Sequence, residues 1–170
     1  AQFRLSVREA SATPLRQAGI GPAEADVSGS YAGRLATIAD AEARVGGGTV
    51  RAGGTVGRQL DVTARIDSLP LALAGAFAPD LAPSGSLSGT VTATGPLARP
   101  RVAFDVEVPA ASAAPLRDAG SAPASLAARG VYDRGTVSLD SATANVGGGS
   151  LSARGSLGRR IDLSADLTNV

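Results

Sequence analysis

The sequence contains no cysteine, histidine, methionine, tryptophan or lysine, and these absences remove whole classes of chemistry. Without Cys and His, the chain cannot build a Cys/His zinc site, a disulfide, a haem ligand set, or a Ser–His or Cys–His nucleophilic pair. All 16 basic residues are therefore arginine. We accordingly expect no metal site, no cofactor and no enzymatic activity.

Aromatic residues and net charge are also scarce. Three Phe and two Tyr make up the aromatic set, and the formal net charge is +1. Nucleic-acid binding usually needs aromatic stacking platforms and a clustered basic patch, so we expect no nucleic-acid partner. The longest apolar stretch, residues 69–79, is far shorter than the roughly 20 residues that a membrane-spanning helix needs.

What the sequence does contain is a repeat at an offset of 101 residues. Residues 3–69 align without a gap with residues 104–170, and about 26 of these positions are identical. The chain thus divides into a first copy (3–69), a connecting segment (70–103) and a second copy (104–170), which we expect to form one continuous β domain. Because the connecting segment has no counterpart before the first copy or after the second, we expect a fragment of a longer protein.

Apolar and polar residues alternate almost throughout, which is the pattern of half-buried β-strands. In residues 60–66, for example, Leu, Val, Ala and Ile alternate with Asp, Thr and Arg. In each copy one strand changes face midway, near Asp40 and near Ser141, which predicts a β-bulge at equivalent places. Each copy therefore reads as a meander of antiparallel strands.

Glycine marks the predicted turns, and one segment is predicted to be helical. Hairpin turns are predicted at residues 31–34, 46–48 and 57–59, and at 132–135, 147–149 and 158–160 in the second copy. The residues following Pro70 suit a short helix over 71–78 that ends at Pro79 and caps the sheet. Residues 10–23 and 111–124, rich in Ala, Pro and Gly, are predicted to be loops or short helical turns.

Several of these segments together resemble the C-terminal region of the TamB family. The resemblance is carried by Leu-Pro-Leu-Ala-Leu at 69–73, Gly-Ser-Leu-Ser-Gly at 85–89, Thr-Gly-Pro-Leu-Ala-Arg-Pro-Arg-Val at 94–102 and the hairpin Tyr-Asp-Arg-Gly-Thr-Val at 132–137. It covers nearly the whole chain, the repeat included, and it rests on glycines, prolines and alternating apolar residues. The chain lacks the family's N-terminal membrane helix and its terminal aromatic strand, which suggests a middle segment.

The TamB family comprises the inner-membrane-anchored subunits of the translocation and assembly module of Gram-negative bacteria, which are related to AsmA-like proteins. The resemblance implies an all-β fold: a long curved antiparallel sheet built from tandem repeats, with one short helix, folded lengthwise into a taco-like trough with an apolar concave face. It implies the periplasm, with the inner-membrane anchor in a segment outside this chain. It also implies phospholipid transport, or assembly of autotransporters and other outer-membrane proteins. The implied partners are phospholipid acyl chains, an outer-membrane barrel (TamA-like) reached through the full-length protein, and outer-membrane client strands.

The alternation also predicts which side chains form an apolar face that binds lipid or client. Most are small, so a curved sheet would leave a lengthwise void, and an acyl chain filling it would gain roughly 0.8 kcal/mol per buried methylene. The predicted groove residues are Val50, Ala52, Val56, Leu60, Val62, Ala64, Ile66, Leu87, Val91, Val102, Phe104, Val106, Val108, Leu126, Val137, Leu139, Leu151, Leu157, Ile161, Leu163 and Leu167.

Other readings of the same pattern remain open. The face could instead be sealed in a closed sandwich or barrel. The chain could also be a β-solenoid passenger or adhesin repeat with a dry core, or, more remotely, a polysaccharide-acting β-helix enzyme, although it lacks aromatic platforms and clustered carboxylates. Asp105 and Glu107 share a strand face as a catalytic pair would, but Arg4 and Ser6 take their places in the first copy. The glycine triplets are not followed by the Lys of a phosphate-binding loop.

Overall fold

Eleven antiparallel strands, each paired with the next along the chain, form one open curved sheet. The computed structural model describes residues 1–10, 21–76, 82–118, 120–158 and 160–168. The strands are β1 (Gln2–Ala10), β2 (Ala23–Ala32), β3 (Leu35–Val45), β4 (Gly48–Val56), β5 (Gln59–Pro70), β6 (Ser86–Pro96), β7 (Arg101–Ala111), β8 (Ala124–Asp133), β9 (Thr136–Val146), β10 (Gly149–Leu157) and β11 (Ile161–Thr168). The predicted all-β class and the antiparallel meander are confirmed.

The sequence repeat is also a repeat of strand register. In β1 and β2, Val7 pairs with Ala25 and an irregularity precedes the pair Ala10–Ala23. The same step recurs 101 residues later, where Val108 pairs with Leu126 and Ala111 pairs with Ala124. Strands β1–β5 and β7–β11 are therefore equivalent sets of five, and β6 joins them.

The β-bulges lie where the change of face predicts them. Between β3 and β4, the paired residues jump from Ile38–Gly54 to Ala41–Ala52, so two residues of β3 oppose one of β4. The same jump occurs between β9 and β10 at Asp140 and Ser141. A bulge bends its strand and strengthens the local twist, so these two points fold the sheet across its strands.

The second copy is displaced along the strands relative to the first. Following paired residues from strand to strand, the line that starts at Phe3 reaches Val102 in β7. The repeat counterpart of Phe3 is Phe104, two residues further along that strand. The two copies are thus related by a stagger of two residues.

The predicted hairpins are present, most of them with two-residue turns. Gly46 and Gly47 both have positive φ, at 56° and 86°, as the favoured hairpin turn requires. The third glycine of that triplet, Gly48, is the first residue of β4 and lies against the backbone of β5. A Cβ there would come within 2.6 Å of the Ser68 carbonyl oxygen, which explains why the triplet continues into the strand.

The helical prediction is met in part. Residues Leu71–Ala76 form a 3₁₀ helix, and the remainder of the predicted segment, 77 and 78, lies outside the described residues. Leu71, the first residue of this helix, packs against the buried residues Val108, Ala111 and Ala124. The second predicted loop contains a short α-helix, Ala114–Asp118, and most of the first, 11–20, lies outside the described residues.

Candidate functional site

One face of the sheet is apolar along its whole length. Three lines of paired residues cross all eleven strands on this face, and we name each by its first member. The Val7 row is Val7, Ala25, Ala43, Val50, Ile66, Gly89, Val106, Ala128, Ala142, Ala153 and Ala165. The Leu5 row is Leu5, Val27, Ala41, Ala52, Ala64, Val91, Phe104, Gly130, Leu139, Gly155 and Leu163. The Phe3 row is Phe3, Gly29, Ile38, Gly54, Val62, Ala93, Val102, Tyr132, Val137, Leu157 and Ile161.

All the predicted groove residues lie on this face. Most belong to the three rows. Val56 and Leu60 lie in a shorter line toward one end of the strands, with Tyr31 and Ala36. Toward the other end, a flanking line contains Val108, Leu126, Leu151 and Leu167, and Leu87 lies beside it.

Some members of the face were missed by sequence reasoning. Tyr31 and Tyr132 were read as turn residues, yet both belong to strands and both are exposed on the apolar face. Phe3, Leu5 and Val7 in β1 were not assigned to the groove, although their alternation was a sufficient signal. Leu71 comes from the helix, so no strand pattern could have placed it there.

The apolar face is open to solvent. Within the described ranges the buried residues are Val108, Ala111, Ala124 and two glycines, Gly48 and Gly130, and no second sheet packs against these rows. Apolar side chains elsewhere on the face are half-buried or exposed; Leu126 in β8, for instance, is 41% exposed. A sealed sandwich would bury such side chains in a core about 10 Å thick. The closed arrangement is therefore not formed by the described part of the chain.

An almost wholly apolar concavity lies in the second copy, with Leu71 of the 3₁₀ helix in its wall. Its volume is about 430 Å³, and it reaches from β6 to β10. Because five adjacent strands span about 19 Å at 4.8 Å spacing, a single cavity touching all of them requires a curved sheet. The lining residues are Leu71, Leu87, Val106, Val108, Leu126, Ala127, Ala128, Ala142, Thr143, Ala144, Leu151 and Ala153.

Turns form the two long rims of the curved sheet. The rim made by the β2–β3, β4–β5, β6–β7, β8–β9 and β10–β11 turns carries an arginine in every turn. We call this the arginine rim, and its members are Arg34, Arg58, Arg99, Arg134 and Arg160. At the opposite rim, the described turn residues 46–47 and 147–148 are glycines, and Arg117 and Asp118 are the charged residues between β7 and β8.

A second concavity lies at the arginine rim in the first copy. It has a volume of about 690 Å³ and is bounded by the turns that follow β2, β4 and β6. Arg34 and Arg58 contribute to its wall beside Tyr31, Val56 and Leu97. The cavity therefore combines an apolar floor with two cationic side chains at its edge.

The opposite face of the sheet is polar and charged. Arg51 donates from Nε to Glu42 at 2.7 Å, and this hydrogen bond lowers the pKa of that carboxyl below its ordinary value. Arg129 pairs with Asp105 on the same face. The Asp105–Glu107 pair considered from the sequence thus faces outward, away from both concavities.

In residues 1–10, 21–76, 82–118, 120–158 and 160–168, no cluster of three or more carboxylates is placed to hold a metal ion. No helix among those residues has the length and apolar character to cross a bilayer.

Comparisons with known proteins give no relative for this chain: no protein-family profile, characterised protein or solved structure matches it.

Proposed function

We propose that this chain is a periplasmic segment of a TamB-like protein, and that its apolar trough conducts phospholipids by holding their acyl chains. The observation that carries the proposal is the composition of the three complete rows. All of their positions are Gly, Ala, Val, Leu, Ile, Phe or Tyr, and they run without interruption from β1 to β11. A soluble protein rarely leaves a continuous apolar patch of this kind exposed unless something binds there.

The energetics favour an acyl chain as the occupant. A palmitoyl-length tail gains on the order of 10 kcal/mol gross when its methylenes leave water, before the ordering costs of binding are subtracted. The face offers few polar groups that would fix one position, so a tail can move along it. A conduit must hold the acyl chain without fixing it at one position, and this face meets both conditions.

The dimensions also suit a lipid tail. From Leu60 to Leu69, β5 crosses the whole apolar face in nine steps, or about 30 Å of strand at 3.3 Å per residue. The bulge in β3 is in register with Thr63 of β5, so it divides this width into walls of about 10 Å and about 20 Å. The wider wall exceeds the hydrocarbon thickness of one bilayer leaflet, which is half of about 30 Å, so a lipid tail can lie along it.

A second candidate function, chaperoning of outer-membrane protein strands, is favoured by the exposed edges of the sheet. Leu5 in β1 is 61% exposed and Ile161 in β11 is 74% exposed, and in the described chain neither strand has an outer neighbour. An extended client segment could add to such an edge by backbone hydrogen bonds while its apolar side chains meet the trough. The outer-membrane barrel partner would then receive the client through the full-length protein.

The solenoid passenger with a dry core is less well supported. Solenoids stack parallel rungs around a filled interior, whereas the described strands are antiparallel and form a single layer.

The test is retention of phospholipid by the purified protein, measured by native mass spectrometry after exposure to lipid. Val62→Arg and Val106→Arg place a charge in the Phe3 row and the Val7 row. Each is expected to abolish retention because a guanidinium in the trough must be desolvated when a tail enters.

The matched control is Ala103→Arg. Ala103 is exposed and lies next to Val102 in β7, but its side chain is on the polar face. We expect this variant to retain lipid as the unaltered protein does, with all three variants keeping the β circular-dichroism spectrum. Absence of lipid from the unaltered protein, or equal loss in Ala103→Arg, would contradict the proposal.

A further inference from the structure

We infer that the arginine rim is a binding site for the phosphate of an amphiphile whose tails lie in the trough. This inference rests on the proposed function and adds to it the chemistry of the head group. The ligand class is a phosphate-bearing lipid, held by its anionic head at the rim and by its tails on the apolar face.

The first observation is the one-sided distribution of charge between the rims. Five turns at one rim each carry an exposed arginine, and Asp133 is the carboxylate directly next to one of them in sequence. Asp133 contacts Arg134 at 3.3 Å, whereas Arg34, Arg58 and Arg99 form no ion pair with a described carboxylate. On the polar face four arginines pair with Glu42, Asp67 or Asp105, whereas Arg4, Arg101 and Arg154 form no ion pair with a described carboxylate. What distinguishes the rim arginines is therefore their place in successive turns at the edge of the apolar face.

The second observation is that turn geometry does not account for the arginines. Arg134 has a φ of 49°, a left-handed conformation that glycine adopts more easily than any residue with a side chain. In the first copy the equivalent turn has glycine first, with φ of 62° at Gly33, and arginine second. Each turn thus keeps one arginine although its place in the turn differs.

The third observation is the cavity at this rim. Arg34 and Arg58 edge a concavity of about 690 Å³ whose floor is the apolar line of Ala36 and Val56. The Leu97 amide donates to the Arg58 carbonyl oxygen at 3.1 Å, which ties the β4–β5 turn to the β6–β7 turn. The cationic groups are therefore held at the edge of an apolar floor, which is the arrangement that an amphiphile requires.

Arginine is chemically suited to this ligand. Its planar guanidinium donates two parallel hydrogen bonds to a phosphate and stays charged at any physiological pH. Turns on this rim recur every second strand, or about every 9.6 Å, so a head group can pass from one arginine to the next while its tails remain in the trough.

The experiment measures binding of soluble short-chain lipids by titration calorimetry. The probes are dioctanoyl-phosphatidylglycerol, dioctanoylglycerol, which lacks the phosphate, and inorganic phosphate alone. We expect the unaltered protein to prefer the phosphatidylglycerol about tenfold at low salt, to lose this preference at high ionic strength, and to bind inorganic phosphate too weakly to measure.

Two variants distinguish an effect of the arginine rim from an effect of the protein's net charge. The rim variant changes all five arginines of the arginine rim to Gln, and the control variant changes five polar-face arginines to Gln: Arg4, Arg44, Arg65, Arg129 and Arg154. The rim variant is expected to bind both lipids equally, with its affinity for dioctanoylglycerol unchanged. The control variant is expected to keep the tenfold preference.

Each other outcome has a distinct meaning. Equal binding of both lipids by the unaltered protein, or loss of preference in both variants alike, overturns the head-group site and leaves the trough standing. Binding of inorganic phosphate as tight as that of the lipid also overturns it, because the tails would then contribute nothing. Failure of the unaltered protein to bind either lipid overturns the trough itself.

Discussion

Two glycines, one in each copy, occupy equivalent positions where the backbone has positive φ and no room is left for a side chain. Gly54 in β4 has a φ of 138° and Gly155 in β10 has a φ of 137°. A Cβ at either one would lie 2.0 Å from a carbonyl oxygen of the next strand, that of Asp61 or of Asp162. Both lie opposite a bulged strand, so bulge and glycine together form the bend of the sheet.

Gly54→Ala is therefore expected to destabilise the protein by at least about 1–3 kcal/mol, because alanine must adopt a disfavoured backbone conformation and also displace the neighbouring strand. The midpoint of urea unfolding, followed by circular dichroism, measures the change.

The neighbouring glycine provides the control for this variant. At Gly53 the nearest atom to an added Cβ is the Ile38 carbonyl oxygen, 3.6 Å away, which is ordinary contact. Gly53→Ala is expected to change the free energy of unfolding by less than about 1 kcal/mol, with stabilisation the favoured direction. Equal destabilisation by the two variants would show that Gly54 is not the bend.

At the scale of elements, the sequence was sufficient to predict the strands and turns. It was not sufficient to predict whether another layer of structure packs on the apolar face. The strict alternation of apolar and polar residues in β5 is enough to predict a strand. The one-residue shift of the apolar face near Asp40 is enough to predict the bulge in β3. The openness of the trough depends on what lies over it, and a period of two cannot distinguish a face covered by a second sheet from one left bare. Tyr31 and Tyr132 were misplaced because a turn signal and a strand end overlap there.

The 3₁₀ helix contacts the apolar face through Leu71. Leu71 packs on Val108, Ala111 and Ala124, and its amide donates to the Gly85 carbonyl oxygen at 3.0 Å. Leu71→Ala is expected to cost about 1–3 kcal/mol of unfolding free energy, at the low end for a leucine because its side chain is only half-buried.

Leu97→Ala serves as the comparison for Leu71→Ala. Leu97 is 54% exposed in the β6–β7 turn, and its removal is expected to change stability by less than about 0.5 kcal/mol. The midpoints of urea unfolding of the two variants measure these losses of stability. A loss at Leu97 equal to that at Leu71 would mean that the helix does not anchor this end of the face.

At the scale of the whole molecule, each described strand pairs by hydrogen bonds only with its neighbours in the sheet. Loss of one pairing is therefore expected to affect mainly the strands beyond it. A Cβ added at Gly54 would displace β5 from β4, and a break between these strands separates four strands from the rest. The equivalent break at Gly155 releases β11 alone. Two residues with the same local geometry therefore have different consequences.

Hydrogen exchange read by mass spectrometry tests this difference between the copies. Gly155→Ala is expected to speed exchange in β11 and leave β1–β9 unchanged, whereas Gly54→Ala is expected to speed exchange throughout β1–β4. Faster exchange along the entire chain in both variants would instead identify a single cooperative unit.

The two-residue stagger between the copies has a geometric consequence for the long axis of the trough. One copy advances about 29 Å across six strand spacings and shifts about 7 Å along the strand direction. The line of the bend and both rims shift by the same amount. The long axis of the trough is therefore inclined by roughly 13° to the direction of the inter-strand hydrogen bonds, as strands are inclined to the axis of a closed barrel. A tail that follows the bend therefore advances along a shallow helical path.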